Sequence, residues 1–462
     1  MTIQVKRVNK NVKIAICFII PILLMLIPTS ETFTSQMKIF LAITAWLLLW
    51  AAFEITDLLV PSLIWPVALT LLGIVPTESI YSSWLSYTIP CCMAAMVLSN
   101  MLQRVGLLER LSYWIMAKCG GSFNRSMYAL YFACLIMSFI TFAGASIIIA
   151  GLCYGMCRSL HMEHKEEAAI TMMVGMIGGS TVRMFIFQPL TQGLIMGSVH
   201  PIDPTFTMTF WQVLYYNWPV ILYSFLTIFV FLTIAKTKNS SINGTKEYFE
   251  EALRKKGKLS KDEKKGIILL AVLMIGILTN SIHHIDGMAI FIIVACLAYC
   301  PGINVAKDSD IKSLPIGIIF FISACMAIGA GCTATGLTEL ISTAATPILN
   351  SLDTRVLLFG ILIFGIVINL LMTPMAMVAT FSGPMVALCA GANINPLAPI
   401  FTFMASTDMV FLPYEYVTFL IFFAFGMMTT GQFVKYHTIK NLVFVAFFAV
   451  IMLPFWSLLG LI

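Results

Sequence analysis

The chain has 462 residues, of which 60% are hydrophobic and only 10% charged, with a mean hydropathy of +0.95. A soluble domain carries about 25% charged residues, so this composition excludes one and defines a polytopic membrane protein. The net charge of +6 comes mostly from loops and the N-terminus, so it reports topology and does not point to nucleic acid.

The N-terminus places Lys6, Arg7, Lys10 and Lys13 before an apolar run from Ile14 to Pro28. That run resembles a signal-peptide core. No small-residue cleavage site follows it and more apolar runs come directly after, so it is predicted to be a retained first helix. Spans are predicted near 14–29, 38–54, 58–76, 127–160 (broken), 168–198 (broken), 210–235, 266–282 and 286–300. They continue near 315–333, 356–390 (broken), 397–429 (broken) and 438–460; the fold expected has about 11 spans. A crossing needs about 20 apolar residues, and Val356 to Thr407 contains no Asp, Glu, Lys or Arg. Around Pro90 and Gly329–Gly331 the runs are too short or too polar for simple spans. Re-entrant hairpins are predicted there, with their irregular backbone buried by protein.

Two segments about 230 residues apart look like versions of one unit. Gly106, Leu107 and Glu109 in the first match Gly336, Leu337 and Glu339 in the second. Each precedes a long apolar stretch broken by small residues or Pro, around Gly144 and Gly151 in one half and Pro374, Gly383 and Pro384 in the other. Paired, interrupted hydrophobic segments in two halves predict a secondary transporter with two inverted repeats and its site at their interface. The fold expected is therefore all-α, with re-entrant hairpins and broken transmembrane helices. It divides as an N-terminal half (1–235), a basic loop (236–265) and a C-terminal half (266–462).

That loop, Lys236 to Lys265, holds ten Lys/Arg against five acids. The positive-inside rule puts it in the cytoplasm beside the basic N-terminus, so the Asn239 and Asn243 glycosylation matches are read as chance. Among the 12 Cys, Cys17, Cys134, Cys153, Cys157 and Cys389 lie inside apolar runs and read as small hydrophobes. Cys91–Cys92 lack metal spacing. His161 and His164 read as a solvated loop pair ahead of a metal site, and the sequence leaves metal binding unassigned.

With these elements in place, the chain resembles the divalent anion/sodium symporter family (solute carrier family 13). The likeness rests on the Trp50…Glu54 segment, the Gly-Leu-x-Glu hairpin ends, the basic mid-chain loop, the Gly178-Gly179 stretch and the Ala405-Ser406…Pro413 stretch. The resemblance implies a homodimer in the inner (plasma) membrane. It further implies elevator transport of dicarboxylates, citrate or sulfate, commonly coupled to Na⁺. The family's Ser-Asn-Thr in each broken helix is replaced by Thr141-Phe142-Ala143 and Pro374-Met375-Ala376. Its Thr-Pro-Pro turns are replaced by Phe185-Ile186-Phe187-Gln188-Pro189 and by the run from Pro413 to Thr418. Its ligand and sodium sites therefore do not carry over residue by residue.

Isolated charges stand in their place. Arg183 has no charged neighbour between Glu167 and Asp203, and Asp408 and Glu415 are alone between Arg355 and Lys435. A charge at the bilayer centre costs at least about 2.5–3.5 kcal/mol on insertion scales. Three readings stay open for Arg183: a salt bridge with Glu415 or Asp408, snorkelling to a membrane face, or a bidentate contact with a substrate carboxylate. Candidate substrate residues are Thr141, Gly144, Ser146, Arg183, Thr373, Thr380 and Ser382; candidate coupling or gating residues are Asp408 and Glu415. Helix ends among small residues can meet an anion, although close helix packing explains the same residues equally well.

The function expected is secondary active transport of small organic anions, mono- or dicarboxylates, with Na⁺ or H⁺ as a possible coupling ion and no cofactor. The alternative is a proton-coupled carrier or anion exchanger without sodium dependence. A channel would need a continuous polar stripe and an enzyme a catalytic constellation; the sequence offers neither.

Overall fold

The computed structural model describes residues 10–53, 55–81, 84, 87–119, 121–141, 146–163, 165–200, 202–235, 245–283, 285–314, 316–337, 339–340, 343, 353–370, 373–391 and 394–462. Glu54, Phe142, Ala143, Gly144, His164, Asn239 and Asn243 lie outside them. Among the described residues the chain is helical and contains no strand. Three helices are long and apolar enough to cross a bilayer alone: Phe123–Thr141, Glu166–Phe185 and Thr430–Leu458. Two pairs pass the same test together, Ile89–Arg104 with Leu107–Lys118, bent by 63°, and Phe210–Asn217 with Val220–Ile234, bent by 48°. The other apolar helices have 10–17 residues, so the expected total of about 11 spans requires these to cross as pieces of broken helices.

Of the predicted punctuation, Pro374 falls at a break, whereas Gly151, Gly383 and Pro384 lie inside helices Ser146–Ser159 and Pro374–Gly391. Helix Phe123–Thr141 stops before the Phe142–Ala145 segment and a helix resumes at Ser146. Helix Thr354–Asn369 stops before Pro374, where Pro374–Gly391 starts. Starts are equally local. Thr209 with Gln212, Ser260 with Glu263 and Thr429 with Gln432 form capping boxes, and Asp286 and Asp353 cap the helices that follow them. Each box satisfies two of the amide groups that a helix N-terminus leaves without partners. Near the end of Thr430–Leu458 the ladder widens to a π-turn at Phe448–Met452. The cause is Pro454, which has no N–H for the carbonyl four residues back.

The sequence repeat is written into backbone hydrogen bonds. Val105, Gly106 and Arg110 N–H donate to the carbonyls of Met101, Gln103 and Gly106 at 3.0, 3.0 and 3.2 Å. Thr335, Gly336 and Leu340 donate to Gly331, Thr333 and Gly336 at 3.0, 3.1 and 3.2 Å, in the same register. Gly106 and Gly336 have φ of +76° and +77°, a left-handed conformation that costs an L-residue roughly 1–2 kcal/mol.

The chain forms two compact units. The first comprises Met1–Ile89, Gly193–Thr207 and Pro315–Phe403. Its core gathers Phe40, Leu47, Trp65 and Leu69 with Ala324 and Ile328, and the Trp65 indole N–H donates to Thr44 Oγ1 at 3.2 Å. Helix Leu59–Leu71 turns Leu63, Ile64, Val67 and Leu71 outward, an apolar face suited to lipid.

The second unit comprises Pro90–Gln192, Met208–Leu314 and Met404–Ile462. Helix Glu166–Ser180 runs through it almost fully buried, as a helix apolar on every side must. Gly178 permits that burial: a Cβ there would lie 2.6 Å from Cys134 Cβ and 3.0 Å from the Tyr131 carbonyl oxygen.

Part of the basic stretch expected as a loop is instead helix, Thr245–Lys256. Its strong helix formers, Glu247 in the first turn and Arg254, Lys255 and Lys256 in the last suit the helix dipole. Phe249 is fully buried and sits 5.7 Å from the Tyr113 ring, worth about 1.5–3 kcal/mol. Lys256 Nζ donates to the Gly106 carbonyl at 2.9 Å and pairs with Glu109 at 2.8 Å.

Candidate functional site

Two irregular segments of the second unit need their backbone groups satisfied by protein, because lipid offers nothing. The first is Ile186–Gln188, after the short helix Val182–Phe185. Gln192 serves it from both ends of its amide: Nε2 donates to the Arg183 carbonyl at 3.2 Å and Oε1 accepts from Gln188 N–H at 2.6 Å. The second is Thr407–Leu412, after the helix ending at Ser406. Here Lys440 Nζ donates to the Asp408 carbonyl, and Asn441 Nδ2 donates to the Val410 carbonyl at 3.0 Å. Both come from helix Thr430–Phe447. A cation beside the C-terminal end of a helix also complements its dipole.

These repairs bring three charges together. Asp408 splits its carboxylate between Arg183 Nη2, which donates to Oδ1 at 3.2 Å, and Lys440 Nζ, which donates to Oδ2 at 2.8 Å. Side-chain exposure is 11% for Arg183 and 2% for Asp408 and Lys440. Arg183 Nη1 donates to Tyr416 Oη at 3.1 Å, and Arg183 Cζ lies 4.8 Å from the centre of that ring. Lys440 faces the Phe419 ring at 5.5 Å. The buried Arg183 Nε has no hydrogen-bond partner. Nε and Nη2 share the edge of a guanidinium that grips a carboxylate bidentately, so Asp408 occupies half of that edge. Two formal cations share Asp408, and the Glu415 carboxylate acts on Lys440 from further away.

Of the open readings for Arg183, the structure therefore shows a bridge to Asp408 and none to Glu415. Glu415 instead closes its own turn, Pro413–Glu415, accepting from the N–H of Leu412 at 2.8 Å and of Phe411 at 3.2 Å. A backbone that lacks helical partners takes the nearest carboxylate.

The remaining candidates are spread out. Thr141 is buried and donates to the Met137 carbonyl at 2.9 Å, and Ser146 begins a helix. Gly144 lies outside the described residues. Thr373, Thr380 and Ser382 belong to the first unit. Thr373 precedes helix Pro374–Gly391, Thr380 Oγ1 is buried without a partner, and Ser382 donates to the Val378 carbonyl at 2.6 Å. Gly383 has a packing role, since a Cβ there would lie 2.6 Å from the Ser198 carbonyl oxygen.

Lys440 was not among the sequence candidates. The signal for it was present: no Asp or Glu follows Glu415, so a Lys in the last apolar span has no acid nearby in the chain. His437, on the same helix, is fully buried, stacked 4.1 Å from the Phe433 ring, and neither ring nitrogen has a partner. Among the described residues no cluster of His, Cys, Asp and Glu could hold a metal ion.

The broken-helix architecture with a buried charge cluster defines a multi-pass membrane transporter. The fold is shared with MtrF of Neisseria gonorrhoeae, whose structure is reported to illuminate a class of antimetabolite efflux pumps. That likeness has a TM-score of 0.57 at 11% identity, covering 96% of this chain and 94% of that one. It is shared also with the YdaH transporter of Alcanivorax borkumensis, described as having an unusual topology, at a TM-score of 0.54 and 14% identity over 98% of both chains. No curated protein matches the chain in sequence. A family model for citrate transporters (CitMHS) matches residues 15–407, and the chain belongs to that family.

Proposed function

We propose that the protein is a secondary active carrier of small carboxylates across the cytoplasmic membrane, and that Arg183 meets the substrate carboxylate. The observation that carries this reading is the half-used Arg183 edge: Nη2 held by Asp408 at 3.2 Å and Nε buried without a partner. A substrate carboxylate engaging both nitrogens gains a bidentate, charge-assisted contact that Asp408 does not make. Membership of a citrate transporter family makes citrate the first substrate to try. Elevator motion and a homodimer belong to the proposal through the family resemblance alone.

Proton coupling or anion exchange is favoured over sodium coupling. Neither broken helix keeps the Ser-Asn-Thr motif, while Asp408 and Glu415 are buried acids in and beside an irregular segment of the second unit. The test is uptake of radiolabelled acetate, succinate and citrate into proteoliposomes, with Na⁺, K⁺ or choline outside and with or without a pH gradient. Saturable uptake of one of them, indifferent to Na⁺, is expected. No uptake of any of the three would overturn the carrier reading, and severalfold stimulation by Na⁺ over K⁺ at fixed pH would overturn the coupling.

A further inference from the structure

We infer that Lys440 is a positioning residue that shares Asp408 with Arg183, so that a substrate carboxylate can take over the Arg183 edge without leaving Asp408 unpaired. This rests on the carboxylate reading above and adds the competition that sets affinity.

Asp408 is an internal competitor for Arg183, because its carboxylate reaches the same guanidinium edge a substrate would use. Had Asp408 no other partner, displacing it would strand a buried charge, a cost of several kcal/mol. Lys440 removes that cost. Its ammonium is closer to Asp408 than Arg183 is, 2.8 against 3.2 Å, and takes the other carboxylate oxygen. It is also tied to the Asp408 main-chain carbonyl, so it stays in place whichever partner Arg183 has. Asp408 then remains paired before and after substrate arrives.

A structural alternative must be separated from this. Lys440 also closes the backbone at Asp408, so its loss can loosen the break without any competition. The two roles predict different outcomes when Asp408 is neutralised as well. In Lys440→Met, Asp408 has Arg183 as its one remaining charged side-chain partner at these distances, and substrate must displace it at full cost. In Lys440→Met with Asp408→Asn the competitor is gone, but the backbone carbonyl still lacks its donor.

The experiment measures the equilibrium affinity of purified protein, by calorimetry in detergent, for whichever of acetate, succinate and citrate the wild type takes up best, so that lost coupling at Asp408 does not enter the readout. Lys440→Met should weaken binding at least tenfold. Asp408→Asn alone removes the competitor and should tighten binding, and the double variant should return affinity to within about threefold of wild type. The inference is overturned by unchanged affinity in Lys440→Met, or by a double variant as weak as Lys440→Met. It is overturned equally by weaker binding in Asp408→Asn, which decides the matter if Lys440→Met does not fold. Wild-type protein that takes up none of the three carboxylates removes the carrier reading itself. Normal wild-type uptake with the wrong variant pattern removes only the role of Lys440.

Discussion

Among the described residues the second unit contains two Arg–Asp contacts with opposite character. Arg104 grips Asp310 with both nitrogens of one edge, Nε to Oδ1 at 2.8 Å and Nη2 to Oδ2 at 2.7 Å, and Nη2 also reaches the Val305 carbonyl at 2.6 Å. Arg183 touches Asp408 through one nitrogen at 3.2 Å, leaves Nε without a partner and shares the carboxylate with Lys440. The first pair has little left to offer another group. The second is under-used although it is the more buried, with Arg183 at 11% side-chain exposure against 27% for Arg104. Saturation of hydrogen bonds, and not burial, separates the closed Arg104 pair from the proposed Arg183 site.

Several substitutions can break or sharpen that contrast, and the largest effect belongs to the strut. Arg104→Met strands the buried Asp310 carboxylate and should cost about 3 kcal/mol of stability, read as a lower thermal midpoint in detergent. Arg183→Met should cost less than half as much, because Asp408 keeps Lys440; equal losses would erase the distinction. Burial alone would raise the Asp310 carboxyl, but bonds from Arg104 and the Lys307 N–H outweigh it and hold it below the ordinary carboxylate range. Stability from this depressed group is complete above an ordinary Asp value of about 3.9 and is lost as pH falls through the lower folded value. The wild-type contribution of this pair should therefore be constant from pH 5 to 8 and fall only below about pH 4.

Next in size is Arg183→Lys, which keeps the charge and loses the planar fork. It should fold normally yet bind the transported carboxylate about tenfold more weakly, about 1.4 kcal/mol, in a competition assay. Unchanged affinity would reduce Arg183 to scaffold. Gly106→Ala should cost about 1 kcal/mol through its positive φ, and Gly336→Ala about the same. A difference larger than twofold between them would show that their surroundings, Lys256 at one and Met37 at the other, outweigh the shared backbone. The smallest effect is Lys246→Ala, which removes an exposed i,i+4 pair with Glu250. It should change stability by no more than about 0.5 kcal/mol, and a larger loss would show that surface pairs on this helix carry weight.

The helix breaks were legible because Gly and Pro act locally, through φ and a missing donor, so Pro374, Gly106 and Gly336 announce themselves. That the isolated Arg183 needs a partner was legible for a similar reason: an intramembrane charge is costly alone. Which acid it meets was not, since Glu415 is captured by the Phe411 and Leu412 amides just before the turn at Pro413. Lys440 was hidden by a nearby Lys435 that makes the span look like an ordinary basic flank. The helix Thr245–Lys256 was hidden by its hydrophilicity, because a single buried ring, Phe249, fixes it.

That helix also constrains how the protein is made. The hairpin arm Leu107–Cys119 leaves the ribosome early, yet Phe249 and Lys256, which complete its packing, are synthesised far later. Translation runs at about 5–20 residues per second, so the arm waits on the order of ten seconds for its cover. During that interval the Tyr113 ring lacks Phe249 and the Gly106 carbonyl has Arg110 N–H but not Lys256. Truncating the chain before residue 245 would make that wait permanent.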